Sequence, residues 1–103
     1  MTIDIMKPGH EYAVNKKDEL ADYTAIIKFQ EGPVKEVGIN GLQSEDLLEI
    51  LMDRLTYLNT FENGKYACKD NEYAIIHLRG CLQNLQARTR ARQKRNVEGT
   101  NQA

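Results

Sequence analysis

The chain of 103 residues sets 14 basic against 15 acidic side chains and is 41% hydrophobic and 28% charged, the profile of one soluble domain near charge neutrality. A second domain is not expected at this length, and a deep solvent-shielded catalytic cleft inside one subunit would be hard to build, a limit that oligomerisation would relieve. The longest apolar runs, Leu47-Leu48 and Ile50-Leu51-Met52, fall far short of the roughly 20 residues of a membrane helix. Residues 1–7 lack an apolar stretch followed by a small-residue cleavage site, so a cytoplasmic protein away from membranes is expected.

Residues 1–43 hold both prolines, four of the seven glycines and the strand patterns. Glu11-Tyr12-Ala13-Val14 reads as a strand, followed by the charged turn Asn15-Lys16-Lys17-Asp18. Tyr23 to Gln30 alternates, with Tyr23, Ala25, Ile27 and Phe29 on one face and Thr24, Lys28 and Gln30 on the other, which predicts a half-buried strand. Glu31-Gly32-Pro33 supplies turn chemistry, and Val34-Lys35-Glu36-Val37-Gly38-Ile39 is expected as the antiparallel partner of a hairpin, bounded by Asn40-Gly41. So small a sheet is marginal alone and must rest on helices or on another subunit.

Ser44 followed by Glu45 and Asp46 marks a helix start, because a hydroxyl can cap a free amide and two acids sit where the macrodipole is positive. Leu47, Leu48, Leu51, Leu55 and Leu58 recur at helical spacing, and this helix is expected to end near Asn59. Residues 60–65 form a polar connector in which Gly64 can take a left-handed turn. Ala74, Ile75, Leu78, Cys81, Leu82 and Leu85 draw a second stripe, so the two helices form an antiparallel hairpin. That stripe stops at Leu85, yet nothing breaks the helix through Arg95: the second helix outruns its own core. The fold class is therefore α+β, a single domain with a β layer over 1–43, a helical hairpin over 44–100 and a frayed tail at 101–103. Cys68 and Cys81, thirteen positions apart, would be about 20 Å apart on one helix, too far for a disulfide, and buried reduced thiols are expected.

The basic run carries the most information. Arg88, Arg92 and Arg95 fall at i, i+4 and i+7, on one helix face, where like charges repel and an anion would relieve the repulsion. Arginine's planar fork matches phosphate oxygens two at a time, which makes this face a candidate phosphate clamp; the alternative is a solvated face complementing the negative end of the helix dipole. Phe61, with Tyr66 and Tyr73 nearby, either stacks on a base or caps the end of the local core. Asn71 either bonds a base edge or caps the second helix. His77, beside Ile76 and Leu78, reads as packing, and His10 has no evident partner. The chain has no Gly-rich phosphate loop, no HExxH and no clustered carboxylates, so an enzyme reading lacks a nucleophile, a base, a metal and a cofactor.

Residues 40–48, Asp53-Arg54-Leu55, Tyr66-Ala67-Cys68-Lys69-Asp70-Asn71 and the stretch from Arg88 to Thr100 resemble a family of small phage proteins, the helical-hairpin sponges shared by anti-Thoeris and anti-CBASS inhibitors. The resemblance covers roughly residues 23–100 and is most specific in the basic helix ending Val97-Glu98-Gly99-Thr100, with Asn96 standing where the family pattern has Gly. Strands before the hairpin favour the anti-Thoeris branch. The resemblance implies sequestration without chemistry: binding of the glycocyclic ADP-ribose isomers made by bacterial TIR-domain sensors, and in some members of cyclic di- or trinucleotides at a separate site, by homodimers that assemble into hexamers. Carried over to this chain, Phe61 would stack on the adenine, Asn71 would contact the base, and Arg88 and Arg92 would grip the pyrophosphate. Arg95, Asn96 and Val97 would contact the second type of ligand.

Three readings compete, one of them a phosphodiesterase that would destroy the signal and show turnover. A nucleic-acid-binding module would lay the arginine helix on a phosphate backbone, but the net charge of -1 argues against a polymeric nucleic acid as partner. A protein-interaction module would dock the same helix on an acidic partner.

Overall fold

The computed structural model describes residues 2–15, 24–96 and 98–100. The chain is α+β and forms two compact units, one of residues up to Gln43 joined by Gly99 and Thr100, the other spanning Ser44–Glu98.

The first unit is built on a three-stranded antiparallel sheet, β1 (Thr2–Lys7), β2 (Glu11–Asn15) and β3 (Ala25–Lys28), in that spatial order. β1 lies outside the strands expected from the sequence, although Ile3 and Ile5 alternate with Thr2 and Asp4. The link to β2 is a tight turn with Pro8 at its first corner and Gly9 at φ +77, closed by His10 N–H donating to Lys7 O at 2.9 Å. Proline fixes one corner of such a turn and glycine accepts the positive φ of the other. Register sets Ile3 opposite Val14 opposite Ala25, and Ile5 opposite Tyr12 opposite Ile27, which gathers the aliphatic residues on one face. Phe29 meets Tyr12 edge to face at 5.9 Å. On the other face Asn15 donates to Asp4, and the Ala13 methyl is fully enclosed on the central strand.

The strand expected over residues 34–39 is instead a short helix, α1 (Val34–Val37). Pro33 precedes it and Gly38 ends it at φ +75, the Pro-then-Gly punctuation of a helix rather than of a strand. Side chains take over the hydrogen bonding a hairpin would have used: Gln30 Nε2 donates to Gly38 O, Glu31 N–H donates to Asn40 Oδ1, and Asn40 Nδ2 donates back to Glu31 O. Past this loop the chain returns parallel to the end of β3, where Phe29 bridges Leu42. Gly41 permits that approach, since a Cβ there would lie 2.5 Å from the Phe29 carbonyl carbon. The proposed turn at Lys16-Lys17-Asp18, Tyr23 of the expected strand and the tail at 101–103 lie outside the described residues.

The second unit is a helical hairpin of α2 (Ser44–Thr60) and α3 (Lys69–Lys94). Ser44 is the first helical residue, with Glu45 and Asp46 in the first turn. A 3-10 turn, Phe61–Asn63, follows α2, and Gly64 closes it in the left-handed conformation expected of it. Ile75, Leu78, Leu82 and Leu85 form the face of α3 that meets α2, and Leu82 is buried. Two expectations fail here. Cys68 and Cys81 are free thiols but exposed, because Cys81 sits one step around the helix from Leu82 and out of the seam. His77 is likewise exposed rather than packed. Among the described residues only Ala13 and Leu82 are buried hydrophobics, while Ile50, Tyr57, Tyr73 and Ile76 stay more than half exposed.

Candidate functional site

The far end of α3 holds the arginines. Arg88 is exposed and has no partner among the described residues, whereas Arg92 is largely covered and donates from Nε to Glu98 Oε2 at 2.9 Å, with side-chain exposures of 19% and 41%. The bond spans the end of the helix. Arg95 caps α3, and Asn96, where the resemblance leads one to expect Gly, follows at φ +56 in the left-handed region. Asparagine enters that region more readily than other non-glycine residues. Val97 lies outside the described residues.

The near end holds Phe61 and Asn71. Phe61 is half-buried between Tyr57, at 5.4 Å, and Tyr66, at 6.0 Å with the two planes 6° apart. Lys65 Nζ stands 5.5 Å from the Tyr66 ring centre. Tyr57 escaped the sequence reading, although it lies four positions before Phe61 and so on the same helical face. Asn71 does not cap α3; Cys68 does, its Sγ accepting from Asn71 N–H. The Asn71 amide instead donates to Asn59 Oδ1 and to Tyr66 O, both at 3.1 Å, which ties the connector to both helices. Both amide hydrogens are thereby used, and Oδ1 remains as an acceptor without a partner among the described residues.

The structure does not bring these two groups together within one chain. Asn71 and Arg88 are seventeen positions apart on one continuous helix, which at 1.5 Å per residue is about 25 Å, well beyond the span of a dinucleotide-sized ligand. A cleft of about 390 Å³ on the same hairpin is lined by Glu45, Gln86, Thr89 and Arg90, none of them residues singled out from the sequence. Its lining juxtaposes the start of α2 and the late turns of α3, as an antiparallel hairpin requires. Among the described residues no group of three or more His, Cys, Asp or Glu is placed to hold a metal ion. No described helix is long and apolar enough to cross a membrane.

No protein-family model matches the chain. It is 40% identical, over 94 residues, to Thoeris anti-defense 1 of Bacillus phage SBSphiJ7, an alignment that takes in 91% of this chain and 63% of that protein. The chain thus spans somewhat under two thirds of the length of the relative it matches. Over nearly its whole length, the chain is thus similar to a phage anti-Thoeris protein.

Proposed function

We propose that this protein binds and sequesters cyclic nucleotide signals of bacterial defence, foremost glycocyclic ADP-ribose isomers, and so blocks the Thoeris response in the cytoplasm of an infected cell without chemical conversion of the ligand. The observation that carries the reading is the arginine face of α3, where Arg88 is exposed and without a partner among the described residues and Arg92 is held in place by Glu98, in a chain akin to a protein named for anti-Thoeris defence. Arginine pairs are suited to a pyrophosphate because each fork offers two parallel donors. At the other end, the aromatic cluster centred on Phe61, with Tyr57 and Tyr66 on either side, gives a surface for adenine, and Asn71 Oδ1 an acceptor for its amino group. Because some 25 Å separates the two ends, one site takes Phe61 and Asn71 from one protomer and Arg88 and Arg92 from another. A homodimer, with two such sites, is the smallest assembly that works. The scarcity of buried residues among the described ones favours the same conclusion, and further assembly to a hexamer is compatible with it. Arg95, Asn96 and Val97, at the end of α3, are the proposed contacts for cyclic di- or trinucleotides of CBASS.

The test is to mix the protein with glycocyclic ADP-ribose, remove unbound ligand, denature by heat and identify what is released by mass spectrometry. Stoichiometric, intact release is expected. A degraded ligand would make the protein an enzyme, and an empty protein would redirect attention to cyclic oligonucleotides.

A further inference from the structure

We infer that Asn59 is a positioning residue for the base end of the site: it fixes which way the Asn71 amide faces, so that the site selects adenine over a base with a carbonyl oxygen in place of the amino group. The inference rests on the ligand reading above and supplies a cause for its base selectivity. A carboxamide has one accepting and one donating end, and a half-turn about its last bond exchanges them with almost no change of shape. A base contact made by Asn71 therefore carries chemical information only if the amide is held in one of its two orientations.

The connector holds it with two backbone groups whose polarity cannot change. The Tyr66 carbonyl can only accept, and it takes one hydrogen of Asn71 Nδ2 at 3.1 Å. The Cys68 N–H can only donate, and it gives its hydrogen to Asn59 Oδ1 at 3.4 Å, which turns the Asn59 oxygen toward the start of α3. That same oxygen accepts the second hydrogen of Asn71 Nδ2 at 3.1 Å. A half-turn of Asn71 sets its oxygen against two other oxygens, and a half-turn of Asn59 sets its NH2 against the Cys68 N–H and the Asn71 NH2. Each amide thus locks the other, and the lock ends on main chain at both sides. Asn71 Oδ1 is the atom left over: it has no partner among the described residues and is not one of the enclosed polar atoms. A donor meets it favourably, whereas a second acceptor leaves both oxygens unsatisfied. Tyr66, which supplies the carbonyl, also stacks its ring on Phe61, so the acceptor and the flat surface are built from one short stretch of chain. The amino group of adenine suits that acceptor, and the oxygen that hypoxanthine carries at the same position repels it.

The experiment compares glycocyclic ADP-ribose with its deaminated, hypoxanthine analogue by calorimetric titration on the full chain. The wild-type chain is expected to bind the adenine compound at least about tenfold more tightly. Asn59→Ala leaves two Asn71 hydrogens with one acceptor, frees the half-turn, and is expected to bring the two affinities within about threefold of each other. Asn59→Asp, whose side chain can only accept, is expected to keep the wild-type preference or widen it. The ligand-free chains give a reading that needs no binding: by NMR the Asn71 Nδ2 hydrogens should exchange slowly with water in wild type and Asn59→Asp, and faster in Asn59→Ala. An Asn59→Ala chain that weakens both ligands equally and keeps the preference overturns the inference and makes Asn59 a brace of the fold alone. Where Asn59→Ala does not fold, Asn59→Asp decides, since a preference lost there overturns the inference as well. A wild-type chain that binds both compounds alike also overturns it and leaves sequestration standing. A chain that binds neither compound, with the Asn71 hydrogens slow as expected, overturns the ligand reading and the base selection that rests on it.

Discussion

Arg92 donates through Nε to Glu98 Oε2 at 2.9 Å, across the turn that ends α3. The bond fixes the plane of the guanidinium through the nitrogen nearest its stem, so the head is oriented before any ligand arrives. Preorganisation of this kind lessens the entropy lost on binding. Glu98→Ala is expected to weaken glycocyclic ADP-ribose binding about tenfold, while Glu98→Gln, which keeps an acceptor for Nε, should stay close to wild type by calorimetric titration. Equal losses in both variants would mean that the carboxylate charge matters and the geometry does not.

Arg88 and Arg92 should separate in their effects on stability. Arg88 is exposed and has no partner among the described residues, so Arg88→Ala should leave stability within about 0.5 kcal/mol of wild type and lower ligand affinity by about tenfold or more. Arg92→Ala removes a partly covered ion pair and should cost up to about 1 kcal/mol in addition. Thermal melts with and without ligand distinguish the two, and an Arg88→Ala chain that unfolds would make that arginine structural.

Phe61 stacks on Tyr66 and leans on Tyr57. Phe61→Leu keeps apolar bulk in the connector and should cost about 1 kcal/mol or less in stability, yet it removes the flat face that a base needs and should lower affinity clearly. If Phe61→Leu binds as wild type, the ring only closes the local core.

A composite site makes a stoichiometric demand. In a mixed dimer of one Phe61→Ala chain and one Arg88→Ala chain, one site collects both defects and the other none. Mixed dimers should hence bind one ligand where the wild-type dimer binds two, although each variant alone binds weakly. Isolation of the mixed species with two different tags, followed by titration, checks this directly.

Lys7 donates to the Glu31 carboxylate and holds it below the ordinary value of 4.5. The folded state therefore binds this proton less readily than the unfolded chain does. The pair's contribution to stability is present above about pH 4.5 and is lost as pH falls through the lowered value. Glu31→Gln should flatten that acid limb in denaturation midpoints measured from pH 6 down to about pH 3; an unchanged limb would place acid sensitivity elsewhere.

The helical hairpin was legible in the sequence because its signals are local. The stripe of Leu47, Leu48, Leu51, Leu55 and Leu58, the acids after Ser44 and the left-handed option at Gly64 each act within a turn or two of chain, and all fall in the expected elements, with Leu51 alone of the stripe left 41% exposed. So does the overrun of α3 past Leu85 to Lys94. Spacing alone also put Arg88 and Arg92 on one face, since helical periodicity fixes that whatever surrounds it.

What only the tertiary structure decided depends on partners distant in sequence. Residues 34–39 carry β-branched residues that suit a strand, but the Gln30 and Asn40 side chains bond the loop backbone and Gly41 lets the chain lie against Phe29, so Val34–Val37 coils instead. Asn71 has the composition of a cap, yet its amide is taken by Asn59 and Tyr66, which no local rule could anticipate. Arg92 looks like its neighbours in the basic run until the turn through Asn96 brings Glu98 back to it. Periodicity determines which side chains share a face. Only the folded backbone, by bringing remote donors and acceptors within about 3 Å of each other, determines which of them are already engaged and which are left for a ligand.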